Sequence, residues 1–135
     1  MQKRKLEQFC REWLNAWTGN KPEELIQFYA EDGYYQDPAN SEGIRGRSDM
    51  LIYFRKLLAK NPDWKWNLDE LYPTPKGFIL KWNAKIPVGK DLVNAKGMDI
   101  VELRGDKITK NEVYFDRTPL FEKMGFGKGK IISNY

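Results

Sequence analysis

Residues 62–86 read Pro-Asp-Trp-Lys-Trp-Asn-Leu-Asp-Glu-Leu-Tyr-Pro-Thr-Pro-Lys-Gly-Phe-Ile-Leu-Lys-Trp-Asn-Ala-Lys-Ile, and the period of the hydrophobic pattern changes to two within this stretch. Large apolar residues occupy alternate positions in two runs, which comprise Trp64, Trp66 and Leu68, then Phe78, Leu80, Trp82, Ala84 and Ile86. Because alternate side chains of a strand point to opposite faces, each run predicts a strand with one buried face.

The chain before this stretch repeats its apolar residues at the helical spacing of three and four positions. The first predicted helix carries one apolar stripe, formed by Leu6, Phe9, Cys10, Trp13, Leu14 and Trp17. A second helix is predicted to begin at Pro22, a residue that suits the first helical position. A third is predicted to be capped by Ser48 and to end before Asn61-Pro62. An extended piece at 33–38 and a loop at 39–47 separate these two helices.

Two further strands are predicted at about 92–104 and 107–117, on either side of the tight turn Arg104-Gly105-Asp106. Runs of helices followed by runs of strands are typical of the α+β class. We therefore expect residues 1–135 to form one α+β domain. In it, three N-terminal helices pack in a strongly curved antiparallel sheet.

The composition excludes most catalytic machineries. The chain has no histidine and one cysteine, Cys10. It therefore contains no Ser-His-Asp or Cys-His pair, no imidazole for zinc and no internal disulfide. A general base must be a carboxylate, a lysine or a tyrosine. We expect no cofactor and no metal, and Cys10 is interpreted as inert packing.

Charge and hydropathy constrain the partners and the compartment. The net charge is +4, but six cations lie near the two ends of the chain, and 17 cations face 19 acids elsewhere. This distribution lacks the basic face of a nucleic-acid-binding domain, so no nucleic-acid partner is expected. No run reaches the roughly 18 apolar residues of a membrane helix, and charges at Glu7, Arg11 and Glu12 interrupt any signal sequence. We expect a cytoplasmic protein without a membrane partner.

One segment is similar to a known family. Residues 28–38, Phe-Tyr-Ala-Glu-Asp-Gly-Tyr-Tyr-Gln-Asp-Pro, resemble a segment of ketosteroid isomerase and its SnoaL-like relatives. Gly46-Arg47, the third helix, residues 97–103 and Tyr114-Phe115-Asp116 follow in the order expected for that group. The resemblance implies the nuclear-transport-factor-2-like fold, a cone with a deep apolar pocket. Because this fold hosts isomerases, cyclases and binding proteins, it does not by itself define an activity.

The resemblance also implies two catalytic carboxyl groups. The isomerase base falls on Asp37, which would remove a proton next to a carbonyl, and the oxyanion-side acid falls on Asp99, which would stay protonated and donate a hydrogen bond. Ketosteroid isomerase itself divides the two roles between its carboxyl groups in this way. The oxyanion tyrosine of the isomerase falls on Trp13, and of its two supporting tyrosines one remains as Tyr29 while the other becomes Phe54.

Each carboxyl also has a structural interpretation. Asp37 precedes Pro38, so it could be a turn residue whose side chain binds nearby backbone N–H groups. Asp99 could pair with a basic neighbour across the sheet, and Asp116 is interpreted as structural. A further set of aromatic residues could be core or could line a pocket for a flat apolar ligand, and the predicted ligand-binding residues are Trp13, Trp17, Tyr29, Phe54, Trp66, Trp82 and Tyr114.

Three functions follow from these observations. The first is a cofactor-independent enzyme, isomerase-like or cyclase-like, that transfers a proton on a flat hydrophobic carbonyl compound. The second is a binding protein for a small hydrophobic molecule. The third is a protein-interaction module that docks through its outer sheet face. The isoleucines Ile79, Ile100 and Ile108 favour association of that face, and a homodimer through the sheet is expected.

Overall fold

The computed structural model describes residues 2–124 of the chain. Its elements, in order, are α1 (Lys3–Ala16), α2 (Pro22–Leu25), a 3₁₀ turn (Ile26–Phe28), β1 (Tyr29–Asp37), β2 (Asn40–Arg45), α3 (Arg47–Lys60), β3 (Lys65–Thr74), β4 (Gly77–Val88), β5 (Asp91–Arg104), β6 (Lys107–Phe115) and α4 (Thr118–Met124). The α+β class is confirmed. Within residues 2–124 no helix is long and apolar enough to span a membrane.

The six strands form one sheet in the order β2-β1-β6-β5-β4-β3. The meander from β3 to β6 is antiparallel, as predicted. However, β1 runs parallel to β6, so the expectation of a wholly antiparallel sheet is wrong at that pair. Shifts of register interrupt the ladders after Tyr35, Leu68 and Glu102. Such bulges increase the twist of the strands and bend the sheet over the helices.

The helices differ from the expectation of three N-terminal helices. Only α1 is long before the sheet begins, since α2 is one turn that passes into the 3₁₀ turn, and α3 follows β1 and β2. The chain becomes extended at Tyr29, where it pairs with Ile108 of β6, and this pairing overrides the helical spacing that continues to that residue. The predicted loop at 39–47 contains β2, which pairs with β1 and forms the edge of the sheet.

The core lies between the helices and the inner face of the sheet, where the two predicted periodicities meet. The buried stripe of α1 includes Cys10 and Trp13, and the buried face of α3 includes Phe54. On β4 the alternation is complete, with Phe78, Leu80, Trp82, Ala84 and Ile86 buried. Ile108 is also in this core and fully buried, so it is wrong as a residue of the outer face.

Candidate functional site

A narrow cavity opens between α1, α3 and the inner face of the sheet. Four tryptophans and one tyrosine form much of its wall, together with aliphatic residues of the two helices; the aromatic residues are Trp17, Tyr35, Trp64, Trp66 and Trp82. The space between the walls is about 470 Å³ with the mouth included, whereas the space open to the centre of a water molecule is about 30 Å³. The side chains therefore leave room for a small ligand or for a few waters. A larger flat molecule would have to displace side chains.

The aromatic rings of this wall are inclined to one another rather than stacked in parallel. The centroids of Trp66 and Trp82 lie 4.7 Å apart with an angle of 86° between the ring planes. Trp66 also packs against Trp64 at 5.9 Å and 51°, and against Trp17 at 6.5 Å and 61°. Inclined edge-to-face contacts of this kind are favourable arrangements of aromatic rings. We call this aromatic cluster the tryptophan box: Trp17, Trp64, Trp66 and Trp82.

Among residues 2–124, Asp99 of β5 is the one acidic residue in the wall of this cavity, and it is 4% exposed. Its Oδ1 accepts a hydrogen bond of 2.7 Å from Nε1 of Trp82, and its Oδ2 accepts one of 2.8 Å from Nδ2 of Asn111. Neither donor is charged. No ion pair among the described residues involves Asp99, so the basic partner that the structural interpretation required is replaced by an indole and an amide.

Burial dominates the acid strength of this carboxyl. Removal from water raises the pKa of Asp99 from 3.8 to about 7. The hydrogen bonds from Asn111 and Trp82 act in the opposite direction because they favour the charged form, and the negative charge of Asp37 adds a smaller increase. Near pH 7 both the acid and the carboxylate are populated. One group can therefore donate a proton and accept one, which suits acid–base chemistry.

A second layer of polar residues holds Asn111 in position. The Tyr29 hydroxyl donates a hydrogen bond of 2.7 Å to Oδ1 of Asn111, which leaves the amide N–H free to bind Asp99. Burial raises the pKa of Tyr29 well above 10, and the nearby indole N–H of Trp13 partly offsets this. That N–H has no hydrogen-bond partner of good geometry within residues 2–124. Tyr29 and Trp13 therefore support Asn111 from the core and do not form part of the cavity wall.

Trp82 depends on the absence of a side chain on the next strand. Gly97 of β5 pairs with Trp82 in the register of β4 and β5. A Cβ atom on Gly97 would come within 2.4 Å of the Trp82 ring and 2.6 Å of Cβ of Phe115. Glycine is the residue that leaves this space to the indole, and it allows the ring edge to reach Asp99.

Asp37 lies outside the cavity wall and is 2% exposed. Its Oδ1 accepts hydrogen bonds from the backbone N–H groups of Ala39 and Asn40, at 3.0 and 2.9 Å. Its Oδ2 accepts hydrogen bonds from the hydroxyls of Tyr35 and Tyr53, at 2.7 and 2.8 Å. This carboxyl closes the turn between β1 and β2 and also fixes Tyr35, which does line the cavity.

The structure brings some of the predicted ligand-binding residues together and separates others. Trp17, Trp66 and Trp82 meet at the cavity with Asp99. Trp13, Tyr29 and Phe54 are fully buried in the core beside it. Tyr114 is 43% exposed on the outer face, where its hydroxyl hydrogen-bonds Glu112. The alternation of β6 explains this position, since Val113 takes the inward place next to it.

Several residues of the site are absent from the predicted set. Trp64 and Tyr35 could have been found, because each lies two positions from a predicted residue, Trp66 or Asp37, on the same face of an extended segment. Leu57 of α3 and Asn111 of β6 carry no such signal in the sequence. Within residues 2–124 there is no group of three or more Cys, Asp or Glu side chains that could hold a metal ion.

The fold and the cavity agree with a family match over most of the chain. Residues 10–111 match the SnoaL-like domain, and the chain belongs to this family. The superfamily resemblance drawn from residues 28–38 is thereby confirmed. No curated protein matches the sequence.

Solved structures of the same fold are similar in shape and distant in sequence. One is a hypothetical protein with a ketosteroid isomerase-like fold from Catenulispora acidiphila, in complex with trimethylamine; the TM-score is 0.77, with 20% identity over 88% of this chain and 93% of the other. A putative SnoaL-like polyketide cyclase from Shewanella putrefaciens has a TM-score of 0.76, with 14% identity over 91% of this chain and 87% of the other. AclR, a putative hydroxylase from Streptomyces galilaeus, has a TM-score of 0.74, with 14% identity over 92% of this chain and 98% of the other.

Proposed function

We propose that this protein is a cofactor-independent enzyme that transfers a proton on a small, largely apolar carbonyl compound bound in the tryptophan box. The observation that carries the proposal is the position of Asp99. It is buried, it lies in the wall of the cavity, and neutral donors hold both of its oxygens. Such a carboxyl is the kind of group that exchanges protons near neutral pH.

The proposed reaction needs only this one acid–base group. The carboxylate of Asp99 takes a proton from the carbon next to the carbonyl, and the electron pair of that C–H bond moves into an enolate. The protonated Asp99 then returns a proton to carbon. Return to the same carbon exchanges the proton with solvent, and return to another carbon isomerises the substrate. The apolar walls exclude water, which leaves the carboxylate of Asp99 poorly solvated and therefore more basic towards the C–H bond.

In this proposal Asp37 is a positioning residue rather than the base. Hydrogen-bond donors occupy both of its oxygens, and Tyr35, one of these donors, lines the cavity whereas Asp37 does not. The role of base, which the resemblance implies for Asp37, is therefore assigned to Asp99 in this proposal. The catalytic role that the resemblance implies for Asp37 is kept as the competing hypothesis.

Binding without catalysis is the second candidate, and the narrowness of the cavity favours it. Side chains fill most of the space, which suits retention of a small ligand more than turnover of a flat one. The related protein from Catenulispora acidiphila is in complex with trimethylamine, a small organic molecule. The neighbours described as a polyketide cyclase and a hydroxylase support the catalytic alternative instead.

Exchange of carbonyl-adjacent protons into deuterated solvent tests the proposal. A panel of small cyclic and aromatic ketones is incubated with the protein in D₂O and followed by NMR, while quenching of tryptophan fluorescence reports binding. Asp99→Asn keeps the size of the side chain and removes the base, so exchange should fall by about 10²–10⁴. Saturable quenching without any exchange by the wild type would leave only the binding function.

A homodimer through the outer sheet face is proposed as well. Ile79 pairs with Ile100 across β4 and β5, and Met98 pairs with Tyr114 across β5 and β6. Met98 and Tyr114 are exposed, as is Tyr72, which pairs with Ile79. This apolar band is bordered by the ion pairs Lys81–Glu70 and Lys110–Glu112, each at 2.7 Å. A second copy would match apolar band to apolar band and place opposite charges at the rim.

A further inference from the structure

The tryptophan box lies beside a buried carboxyl that forms no ion pair in the part of the chain that the structure describes. Among the described residues, the polar contacts of Asp99 are the neutral N–H groups of Trp82 and Asn111. An ionised carboxylate without a countercharge is costly to bury. A ligand that carries a positive charge would supply the countercharge that no ion pair within residues 2–124 provides.

The shape of the box also selects among ligands. The planes of Trp66 and Trp82 are nearly perpendicular, and Trp64 and Trp17 incline to Trp66 by 51° and 61°. Rings packed at such angles offer no pair of parallel walls, which a flat molecule would require. The small free space within the box favours a compact group.

Aromatic enclosures of this composition attract one kind of compact group in particular. The face of an indole carries negative charge density and binds alkylated ammonium ions, whose methyl groups are compatible with an apolar surface. We propose that the tryptophan box binds a small alkylated ammonium ion, with the ionised side chain of Asp99 as its counterion. This inference rests on the cavity as a ligand site, as in the proposed function, and does not require that the protein be a catalyst.

The protonation state of Asp99 then decides how tightly a cation binds. Only the carboxylate supplies a countercharge to the ammonium ion. Because burial brings the pKa of Asp99 to about 7, a fixed cation should bind more tightly as the pH rises towards 7 and should not gain further above it. Below pH 7 its binding should release a proton from Asp99 to the buffer.

The groups that face Asp99 from neighbouring elements leave this titration to Asp99 itself. From α1, the Cys10 thiol has a pKa that burial raises to about 12. From β1, Tyr29 has a pKa raised well above 10 by burial, and Asp37 acts through its charge. The strands on either side, β4 and β6, present Trp82 and Asn111, which do not titrate.

Choline and its neutral isostere 3,3-dimethylbutan-1-ol make a direct test, because they share a shape and differ in charge. Calorimetric titration of the protein at pH 8 should show that choline binds about tenfold or more tightly than the isostere. Choline affinity should fall about tenfold per pH unit below pH 7, with release of about one proton at pH 6. Titration in two buffers of different ionisation enthalpy measures that proton.

Two substitutions and a control locate the effect. Asp99→Asn should remove the preference for choline and the pH dependence while binding of the isostere is kept. Trp66→Leu removes one aromatic face and leaves Asp99 unchanged, and it should lower the affinity for choline by about tenfold. Asp69→Asn removes an exposed carboxyl from β3 and should change the affinity for neither ligand.

The outcomes separate this inference from the proposed function. Equal binding of the two probes, or choline binding without proton release at pH 6, would overturn the ammonium site and leave a neutral-ligand cavity in place. Exchange of carbonyl-adjacent protons with no binding of choline would have the same meaning. Failure of both probes and of all ketones would overturn the cavity as a ligand site, and both proposals with it.

Discussion

The indole N–H of Trp82 donates a hydrogen bond of 2.7 Å to Oδ1 of Asp99, and both side chains are almost completely buried. The two residues lie on adjacent antiparallel strands, where Asp99 pairs with Leu80 and Trp82 pairs with Gly97. The bond therefore runs diagonally across the inner face of the sheet. It joins the aromatic wall of the cavity to the carboxyl of Asp99. Substitution of either residue should therefore alter the environment of the other.

The burial of Asp99 should make stability depend on pH in a defined direction. The carboxyl ionises near 3.8 in a solvated chain and near 7 in the fold, so between these values the folded state keeps a proton that the unfolded state has lost. The free energy of unfolding should therefore fall as the pH rises from about 4 to 7, by up to about 1.4 kcal/mol per pH unit. The stabilising contribution is complete below about pH 4 and is lost above pH 7.

Urea denaturation of the wild type and Asp99→Asn at pH 5, 6, 7 and 8 isolates this contribution. The stability of the variant relative to the wild type should increase with pH and level off above about 7. Asp69→Asn, which removes an exposed carboxyl, should follow the wild type at each pH. A difference between Asp99→Asn and the wild type that is constant over this range would mean that Asp99 is ionised throughout.

Gly97→Ala should disturb the site without removing any of its polar groups. The new Cβ would meet the Trp82 ring and Cβ of Phe115, and overpacking of this kind costs about 1–3 kcal/mol. The indole N–H resonance of Trp82 should shift in the NMR spectrum as its bond to Asp99 lengthens. Gly89→Ala is the control, since a Cβ there meets nothing within 4 Å although its φ is +62°. It should lose some stability through backbone strain and leave the Trp82 resonance in place.

Asp37→Asn should affect stability more than chemistry. Asparagine retains one oxygen for the N–H groups of Ala39 and Asn40, while its NH₂ group would face the hydroxyls of Tyr35 and Tyr53, which must rotate to accept. We expect a loss of about 1–3 kcal/mol in the free energy of unfolding, measured by denaturant titration. Proton exchange in ketones should stay within a few fold of the wild type. A drop of about 10²–10⁴ would identify Asp37 as the base instead.

A charge on the outer face should separate the proposed dimer. Ile100→Lys introduces a cation in the middle of the apolar band and leaves the inner face unchanged, because its side chain points away from the core. Analytical ultracentrifugation should give a dimer for the wild type and a monomer for Ile100→Lys. Ile52→Lys places the same charge on an exposed residue of α3 and should remain a dimer. A wild type that sediments as a monomer at high concentration would exclude the interface.

The elements that the sequence predicts correctly are those whose hydrophobic period is long and regular. The stripe on α1 and the alternation on β4 leave no ambiguity, and both bury the expected residues apart from Phe9, which is partly buried. The second predicted helix is shorter than its apolar spacing indicates, because Tyr29, the last residue of that spacing, pairs with Ile108 of β6. The edge strand β2 could not be predicted, since its residues are mostly polar and it is defined by pairing with β1.

The candidate site was only partly accessible to sequence reasoning. The face on which Asp99 lies follows from alternation, and the structure places it inward as expected. Its partners could not be derived, because Asn111 reaches it through the register of β5 and β6, which a single sequence does not specify. The four hydrogen bonds of Asp37 depend equally on the turn after β1 and on Tyr53 of α3.

The parallel pairing of β1 with β6 has a consequence for the synthesis of the chain. Tyr35 and Asn111 are partners in this pairing, although the ribosome makes Asn111 long after Tyr35, on the order of ten seconds later at ordinary translation speeds. Until β6 emerges, β1 has β2 on one side and an open edge on the other, and β5 is open as well. Open edges invite pairing with other chains, so the nascent protein is exposed to aggregation until β6 has been made. The cavity wall includes Val113 of β6, so it is complete only after that strand joins the sheet, and a ligand cannot assist folding before that moment.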